Sequence, residues 1–287
     1  MTVLAAGSGK SLTVRAYSAL DQVQVLDLVT ADRLLGKPAV TARMLDDATA
    51  GRCPADPELW AGLEELATDV LVSADGQIVG VVSFAVRARG AEGVLLWMHC
   101  REEDQHLAGV LIAHTLSRFG RRTVHAFKAT TALSFAGLPV GNRPGTHRAL
   151  ESAGFSRRDG WSYLHHRLDI HRRRPRVVSD ITETDPATWH VHMRDGNGAS
   201  IGMAVIGRLD DMTAVLEWIA LRAGGYNLGH ILLEQCLAHL TDRGMRDVIT
   251  FLEAPAGTEC PYSPARELHH QAGFREIDQL HAYTRRP

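Results

Sequence analysis

The 287 residues carry 31 Lys and Arg against 33 Asp and Glu, a formal net charge of -2, so the chain lacks the positive excess that a nucleic-acid-binding surface usually carries. Apolar residues make up 45% and charged residues 22% of the chain, an ordinary globular balance over a length that predicts two domains. Cys53, Cys100, Cys236 and Cys260 form no CxxC pair, which points away from a disulfide framework or a thiolate zinc cage and predicts a reducing, cytoplasmic setting.

In chain order, Met1–Ser11 reads as a small-residue, flexible tail; its Gly7-Ser8-Gly9-Lys10-Ser11 stretch lacks the first glycine and the preceding strand of a phosphate-binding loop. Leu12–Tyr17 predicts a strand, and the apolar spacing of Ala19–Leu35 an amphipathic helix, with a second helix around Val40–Ala50. Asp69–Ala74 and Gln77–Val86 flank Asp75-Gly76, a dipeptide suited to the positive φ angles of a tight hairpin. Gly93–Cys100 predicts a buried strand, followed by a helix over Gln105–Phe119, a strand at Thr123–Lys128, a helix at Gly145–Ala153 and a strand at Ser162–Leu168.

The arginine- and proline-bearing stretch Asp169–Arg176 predicts an interdomain linker, separating domains at 12–168 and 177–287. Beyond it come strands at Thr188–Met193, Ser200–Leu209 and Met212–Leu221, a helix at Tyr226–Arg243, a strand at Asp247–Leu252, a helix at Pro264–Ala272 and a strand at Gln279–Thr284. The order of the first half recurs, except that no room is left before Trp189 for the two early helices. No apolar run approaches the roughly 18 residues of a membrane span, and the first residues lack the blocks of an export signal.

Trp97-Met98-x-x-Arg101 with Leu107-Ala108-x-x-Leu111-Ile112 aligns without a gap on Trp218-Ile219-x-x-Arg222 with Leu228-Gly229-x-x-Leu232-Leu233. Further on, Ala153-Gly154-Phe155 matches Ala272-Gly273-Phe274, each followed by an aromatic strand with Tyr163 or Tyr283. Both halves thereby resemble GNAT N-acetyltransferases, whose signature is Q/R-x-x-G-x-G/A on the turn after the fourth strand and a G-F segment near the end. The resemblance covers nearly the whole chain. It implies an α/β, mixed-sheet fold in two tandem copies, with the pyrophosphate of acetyl-CoA held by backbone N–H groups at a helix start.

In the second half that turn reads Gly224-Gly225-Tyr226-Asn227-Leu228-Gly229-His230, which keeps the final glycine and little bulk. In the first half it reads Glu103-Asp104-Gln105-His106-Leu107-Ala108, preceded by Glu102, so three carboxylates crowd the place of a pyrophosphate. The comparison implies that the second domain binds acetyl-CoA, along Ile219, Leu221 and residues 224–230, and that the first is a degenerate copy. By the same resemblance Ile219 takes the bulged position whose N–H faces the acyl carbonyl. Glu217, two residues earlier, becomes the general base, and His269, where the family usually has Tyr, the general acid, with Tyr262 and Tyr283 in reserve or the thiolate released to water.

The function implied is N-acylation of a small-molecule amine from acetyl-CoA. Its rivals are a relative taking aminoacyl-tRNA as donor and a non-catalytic ligand-binding module. The fifteen histidines suggest no metal site, because no set combines ligand spacing with a third partner.

Overall fold

The computed structural model describes residues 2–4, 11–53, 57–87, 92–169, 179–185, 187–222, 226–253 and 264–287. The predicted linker at 169–176 lies outside them apart from Asp169. In order, the elements are β1 (Thr2–Leu4), β2 (Leu12–Ala16), α1 (Gln22–Ala31), α2 (Ala42–Thr49), α3 (Pro57–Ala61), β3 (Leu63–Val72), β4 (Ile78–Arg87), β5 (Glu92–Cys100), α4 (Gln105–Phe119), β6 (Val124–Ala126), β7 (Leu138–Pro139), α5 (Pro144–Ser152) and β8 (Ser156–Arg167). They continue with β9 (Asp180–Asp185), β10 (Thr188–Arg194), β11 (Ser200–Arg208), β12 (Thr213–Leu221), α6 (Tyr226–Asp242), β13 (Asp247–Glu253), α7 (Pro264–Gln271) and β14 (Arg275–Arg285).

Two compact units result, and they do not follow the linker. The first comprises Met1–Arg33, Ala39–Gly160 and Gln279–Pro287; the second comprises Leu34–Pro38 and Trp161–Asp278. Each of β8 and β14 therefore begins in one unit and ends in the other. The stretch predicted as a free tail also takes part, since Thr2–Leu4 pairs antiparallel with Leu12–Val14.

In the first unit β1 to β5 form an antiparallel meander, β5 and β6 run parallel, and the end of β14 closes the sheet beside β6 through Tyr283↔Ala126 and Arg285↔Val124. Helix α4 covers one face: Ala108, Leu111, Ile112 and Phe119 pack on Val82, Phe84, Leu95 and Met98. Helices α1 and α2 cover the other, where Val25, Leu28 and Leu45 meet Val81, Val94, Leu96 and Trp97. Covered on both faces, β4 reads as a continuous apolar run rather than an alternation. The Asp75-Gly76 hairpin forms as expected, with Gly76 at φ 80°.

The entry to α1 is pinned by Asp21, which accepts both terminal nitrogens of Arg15 (2.7 and 2.8 Å) and the Ser18 amide (2.8 Å). The hydrogen bond from Arg15 holds the Asp21 carboxyl down to about 2. Because the folded value lies below the unfolded one, this stabilisation is complete above about pH 4 and lost as the pH falls through about 2. Asp21→Asn is expected to cost about 1–2 kcal/mol at pH 7, discounted for the exposure of Arg15, and urea unfolding should show the gap closing at pH 2.

The second unit repeats the arrangement without early helices. Strands β9 to β12 form the meander, β12 and β13 run parallel, and Trp161–Arg167 of β8 closes the sheet beside β13. Helix α6 covers one face: Leu232, Leu233, Cys236, Leu237 and Leu240 pack on Trp189, Val191, Ala204, Ile206, Ala214, Leu216 and Val248. On the opposite face Leu34–Pro38 takes a place, with the Tyr163 hydroxyl donating to the Leu35 carbonyl (2.9 Å).

Candidate functional site

The repeated module centres on a bulge. In the first unit Ser83 pairs with Trp97 but Phe84 with Leu95, so Leu96 is the extra residue. In the second unit Val205 pairs with Trp218 but Ile206 with Leu216, so Glu217 is the extra residue at the matching place. The bulge expected at Ile219 thus lies two residues earlier; Ile219 sits in regular register opposite Ala204 and packs on the α6 side.

A bulge twists its strand and ends regular pairing. Pairing of β5 with β6 stops at Leu95↔Ala126, and pairing of β12 with β13 stops at Leu216↔Thr250. Past those points each parallel pair parts, and the strand edge that faced β6 or β13 carries backbone groups outside the ladder. A wedge of this kind admits an extended ligand chain with amides on one side.

The two wedges differ in what fills them. Leu96 is 0% and Trp97 1% exposed beneath α1 and α2. The matching Glu217 is exposed and Trp218 is 42% exposed. Glu217 turns to the face away from α6, where its carboxylate lies over Gly207: a Cβ there would stand 2.8 Å from Oε1. A side chain at 207 would displace the carboxylate, so this glycine makes room for it.

The turns after the bulged strands differ too. In the first unit the amides of His106 and Leu107 donate to Oδ1 of Asp104 at 2.7 and 3.1 Å, which places a carboxylate of the chain itself on the anion-attracting start of α4. Glu103 does the same for α5: Oε2 accepts the Thr146 amide (3.0 Å), while Oε1 accepts Arg143 Nε (2.7 Å) and the Thr146 hydroxyl (3.1 Å). Arg143, 3% exposed, also meets Asp32 (3.3 Å), which pairs with His99 (2.6 Å). The turn is drawn so close that a Cβ on Gly145 would fall 1.6 Å from the Glu103 carbonyl oxygen. Of the three carboxylates flagged in sequence, two are therefore helix caps, and Glu102 remains exposed.

In the second unit the residue matching Asp104 is Gly225, which has no side chain to cap α6. Gly224 and Gly225 lie outside the described residues, and Tyr226 and Asn227 are described only as the first helical residues of α6. Leu228 is partly buried against the core and His230 half-buried. Gly229 is a packing glycine: a Cβ would stand 3.0 Å from Leu221 and 3.2 Å from Leu268, so its absence lets the end of β12 and α7 approach α6.

His269 is 4% exposed on α7. Its Nδ1–H donates to the Ala265 carbonyl (2.7 Å), the ring packs edge-on against Phe274 at 5.2 Å, and Nε2 has no partner among the described residues. Burial, the largest influence, pushes its pKa below the ordinary histidine value. In this tautomer Nε2 accepts a proton rather than delivering one. Tyr283 is also differently placed from expectation: it is buried in the first unit with its hydroxyl 2.7 Å from His147, and burial raises its pKa. Tyr262 lies outside the described residues.

Two features were not singled out in the sequence. Trp218 served there only to anchor the repeat, and Gly207 went unremarked; Gly207 lies across the hairpin from Val215, two residues before Glu217, a juxtaposition that only the strand pairing displays. Among the described residues, no group of three His, Cys, Asp or Glu side chains is placed to hold a metal ion, and no helix is long and apolar enough to cross a membrane.

The mixed sheets, bulged central strands and parting parallel pairs define a GNAT fold in two tandem copies. Among solved structures, the chain is similar to a tandem GNAT protein from the clavulanic acid biosynthesis pathway, at 17% identity and a TM-score of 0.63, covering 95% of this chain and 98% of that one. It is similar also to a GCN5-related N-acetyltransferase from Sphaerobacter thermophilus, at 13% identity and a TM-score of 0.61, covering 96% of each chain. A third likeness is to a GCN5-related glucosamine N-acetyltransferase region of a fungal multi-domain β-N-acetylglucosaminidase, at 12% identity and a TM-score of 0.60, over 97% of this chain and 38% of that one. No protein-family model and no curated protein matches the sequence.

Proposed function

We propose that this chain is an N-acyltransferase that takes the acyl group of acetyl-CoA and passes it to the amine of a small molecule, with its working site in the second unit. The observation that carries the reading is the contrast at the bulge: Leu96 is sealed in the core, whereas Glu217 is exposed at the matching place beside a parted strand pair. Gly225, at the place where the first copy has the capping Asp104, leaves the start of α6 without a carboxylate from that position, a place for the pyrophosphate. Leu228 to His230, together with the turn at 224–227, would line that place, and the free edge of β12 around Ile219 and Leu221 would run beside the pantetheine.

In this reading Glu217 takes the first proton from the acceptor ammonium, the neutral amine attacks the thioester carbonyl carbon, and the second nitrogen proton passes to water as the C–S bond breaks. Backbone N–H groups on the free edge of β12 stabilise the oxyanion, and collapse expels the thiolate. His269 is assigned no proton transfer, because its one N–H is committed to Ala265; the thiolate takes its proton from water.

Mixing the protein with acetyl-CoA and a panel of primary amines, while following free thiol, tests the reading. Glu217→Gln is expected to lower kcat by about 10²–10⁴-fold with acetyl-CoA affinity unchanged. A wild-type protein that neither binds nor turns over acetyl-CoA would overturn it. The sequestered imidazole of His269 favours one other reading, a non-catalytic acyl-CoA-binding module, whose signature is binding without thiol release.

A further inference from the structure

Beside Glu217, the face of the second sheet turned away from α6 carries His190, His192, Val205 and Trp218, which the reaction does not use. Val205 pairs with His190 on one side and with Trp218 on the other, so the three stand in one row across β10, β11 and β12. Strand spacing puts the outer two Cα atoms about 10 Å apart. His192 shares the face, its ring stacked on His190 with centroids 6.3 Å apart and planes 19° from parallel.

The row contains an aromatic side chain that burial alone does not explain. Trp218 leaves 42% of its surface in solvent, although a tryptophan can contribute a large apolar area to a core. The matching Trp97 makes that contribution, being 1% exposed. Neither Glu217 nor Trp218 makes a side-chain hydrogen bond or ion pair among the described residues. The pair presents a carboxylate and an indole face to solvent, side by side, on the face opposite the core helix.

Their separation bears on the ligand. The Glu217 carboxylate lies over Gly207, two residues along β11 from Val205 and the Trp218 row, which is about 7 Å. An ammonium joined to an aromatic ring by a two-carbon tether spans such a distance. The ammonium would meet Glu217, while the ring would lie against the indole.

Resting on the reading of the second unit as an amine acyltransferase, we infer that its acceptor is an arylalkyl amine, with Glu217 receiving the ammonium and Trp218 selecting the aromatic body. Trp218 is thereby a specificity-determining residue. An aliphatic amine keeps the charge but loses the ring contact, which is worth roughly tenfold in affinity for an exposed aromatic pair.

Calorimetric titration of the full chain with 2-phenylethylamine and with n-butylamine, both without acetyl-CoA, tests this independently of turnover. The expected result is binding of 2-phenylethylamine about tenfold tighter than n-butylamine. Trp218→Ala should bring the ratio close to one, Trp218→Phe should keep most of it, and Glu217→Gln should weaken both amines. Equal binding of the two amines, a ratio untouched by Trp218→Ala, or no binding of 2-phenylethylamine overturns the inference. Failure of acetyl-CoA to bind, with the amine preference intact, would instead sink the acyltransferase reading alone.

Discussion

Replacing Gly225 with Asp is expected to weaken acetyl-CoA binding at least a hundredfold without lowering the stability of the fold. The first unit shows the physics. There Asp104 holds the amides of His106 and Leu107 at 2.7 and 3.1 Å, and a helix start whose N–H groups are satisfied by an internal carboxylate has neither the donors nor the charge to attract a phosphate. Putting the same carboxylate at 225 transplants that state into α6. Losing two charge-assisted hydrogen bonds, each worth about 1.5–3 kcal/mol, corresponds to at least a hundredfold rise in Kd. The new cap should meanwhile add a few tenths of a kcal/mol to stability. Calorimetry and thermal unfolding on the same variant read the two effects separately. Acetyl-CoA affinity unchanged in Gly225→Asp would show that the pyrophosphate does not sit at the start of α6.

The second large effect concerns which part of the molecule answers to which part of the chain. Tyr283→Ala is expected to destabilise the first unit by about 3–5 kcal/mol. Tyr283 is 0% exposed and packs with Leu111, Phe127 and Leu150 in the core under α4; its strand closes the sheet beside β6. Hydrogen exchange should accelerate at the amides of β6 and α5, with β13 and α6 retaining their protection. Tyr163→Ala should do the mirror image: Tyr163 is fully buried in the second unit against Phe251, and β13 is the strand it exposes. Accelerated exchange of β13 and α6 in Tyr283→Ala would refute the assignment of strands to units.

The sequence made the architecture legible because the repeat is written in two independent signals. The apolar β5 and β12 segments with their following helices align without a gap, and the Gly-Phe segments align again at nearly the same offset. What it did not reveal is the exchange of the closing strands. Ser162–Leu168 and Gln279–Thr284 are both short, aromatic and apolar on alternate residues, and either satisfies the open edge of β6 or of β13 equally well; nothing in a binary pattern says which edge each one meets. Predicted helix and strand limits also moved. The helix expected over Ala19–Leu35 ends at Ala31, because Leu34–Pro38 serves the second unit, and the strand expected at Asp69–Ala74 begins at Leu63.

The candidate site was partly legible. Composition around Glu103 and Asp104 pointed to repulsion of a phosphate, and the geometry supplies a different cause, since those carboxylates are the caps of α5 and α4. Local charge counting finds the carboxylates but not their hydrogen-bond partners, for Glu103 answers to Arg143 and Thr146 about forty residues on. The position of the bulge was missed by two residues because a bulge changes register, which only the pairing of two strands displays. Trp218 escaped notice for a related reason: apolar residues on a strand read as core, and exposure depends on whether helices cover that face.

The crossing of β8 and β14 also sets when the protein can fold during its synthesis. His125 and Thr284, which meet at the closing edge of the first unit, are 159 residues apart, and ribosomes add roughly 5–20 residues per second. The first half of the nascent chain therefore waits on the order of ten seconds or more for the strand that completes its sheet, with the edge of β6 and the apolar floor beneath Tyr283 unsealed. The first unit closes its sheet only once residues 283–285 have left the ribosome, and until then chaperones have an unpaired strand edge to shield.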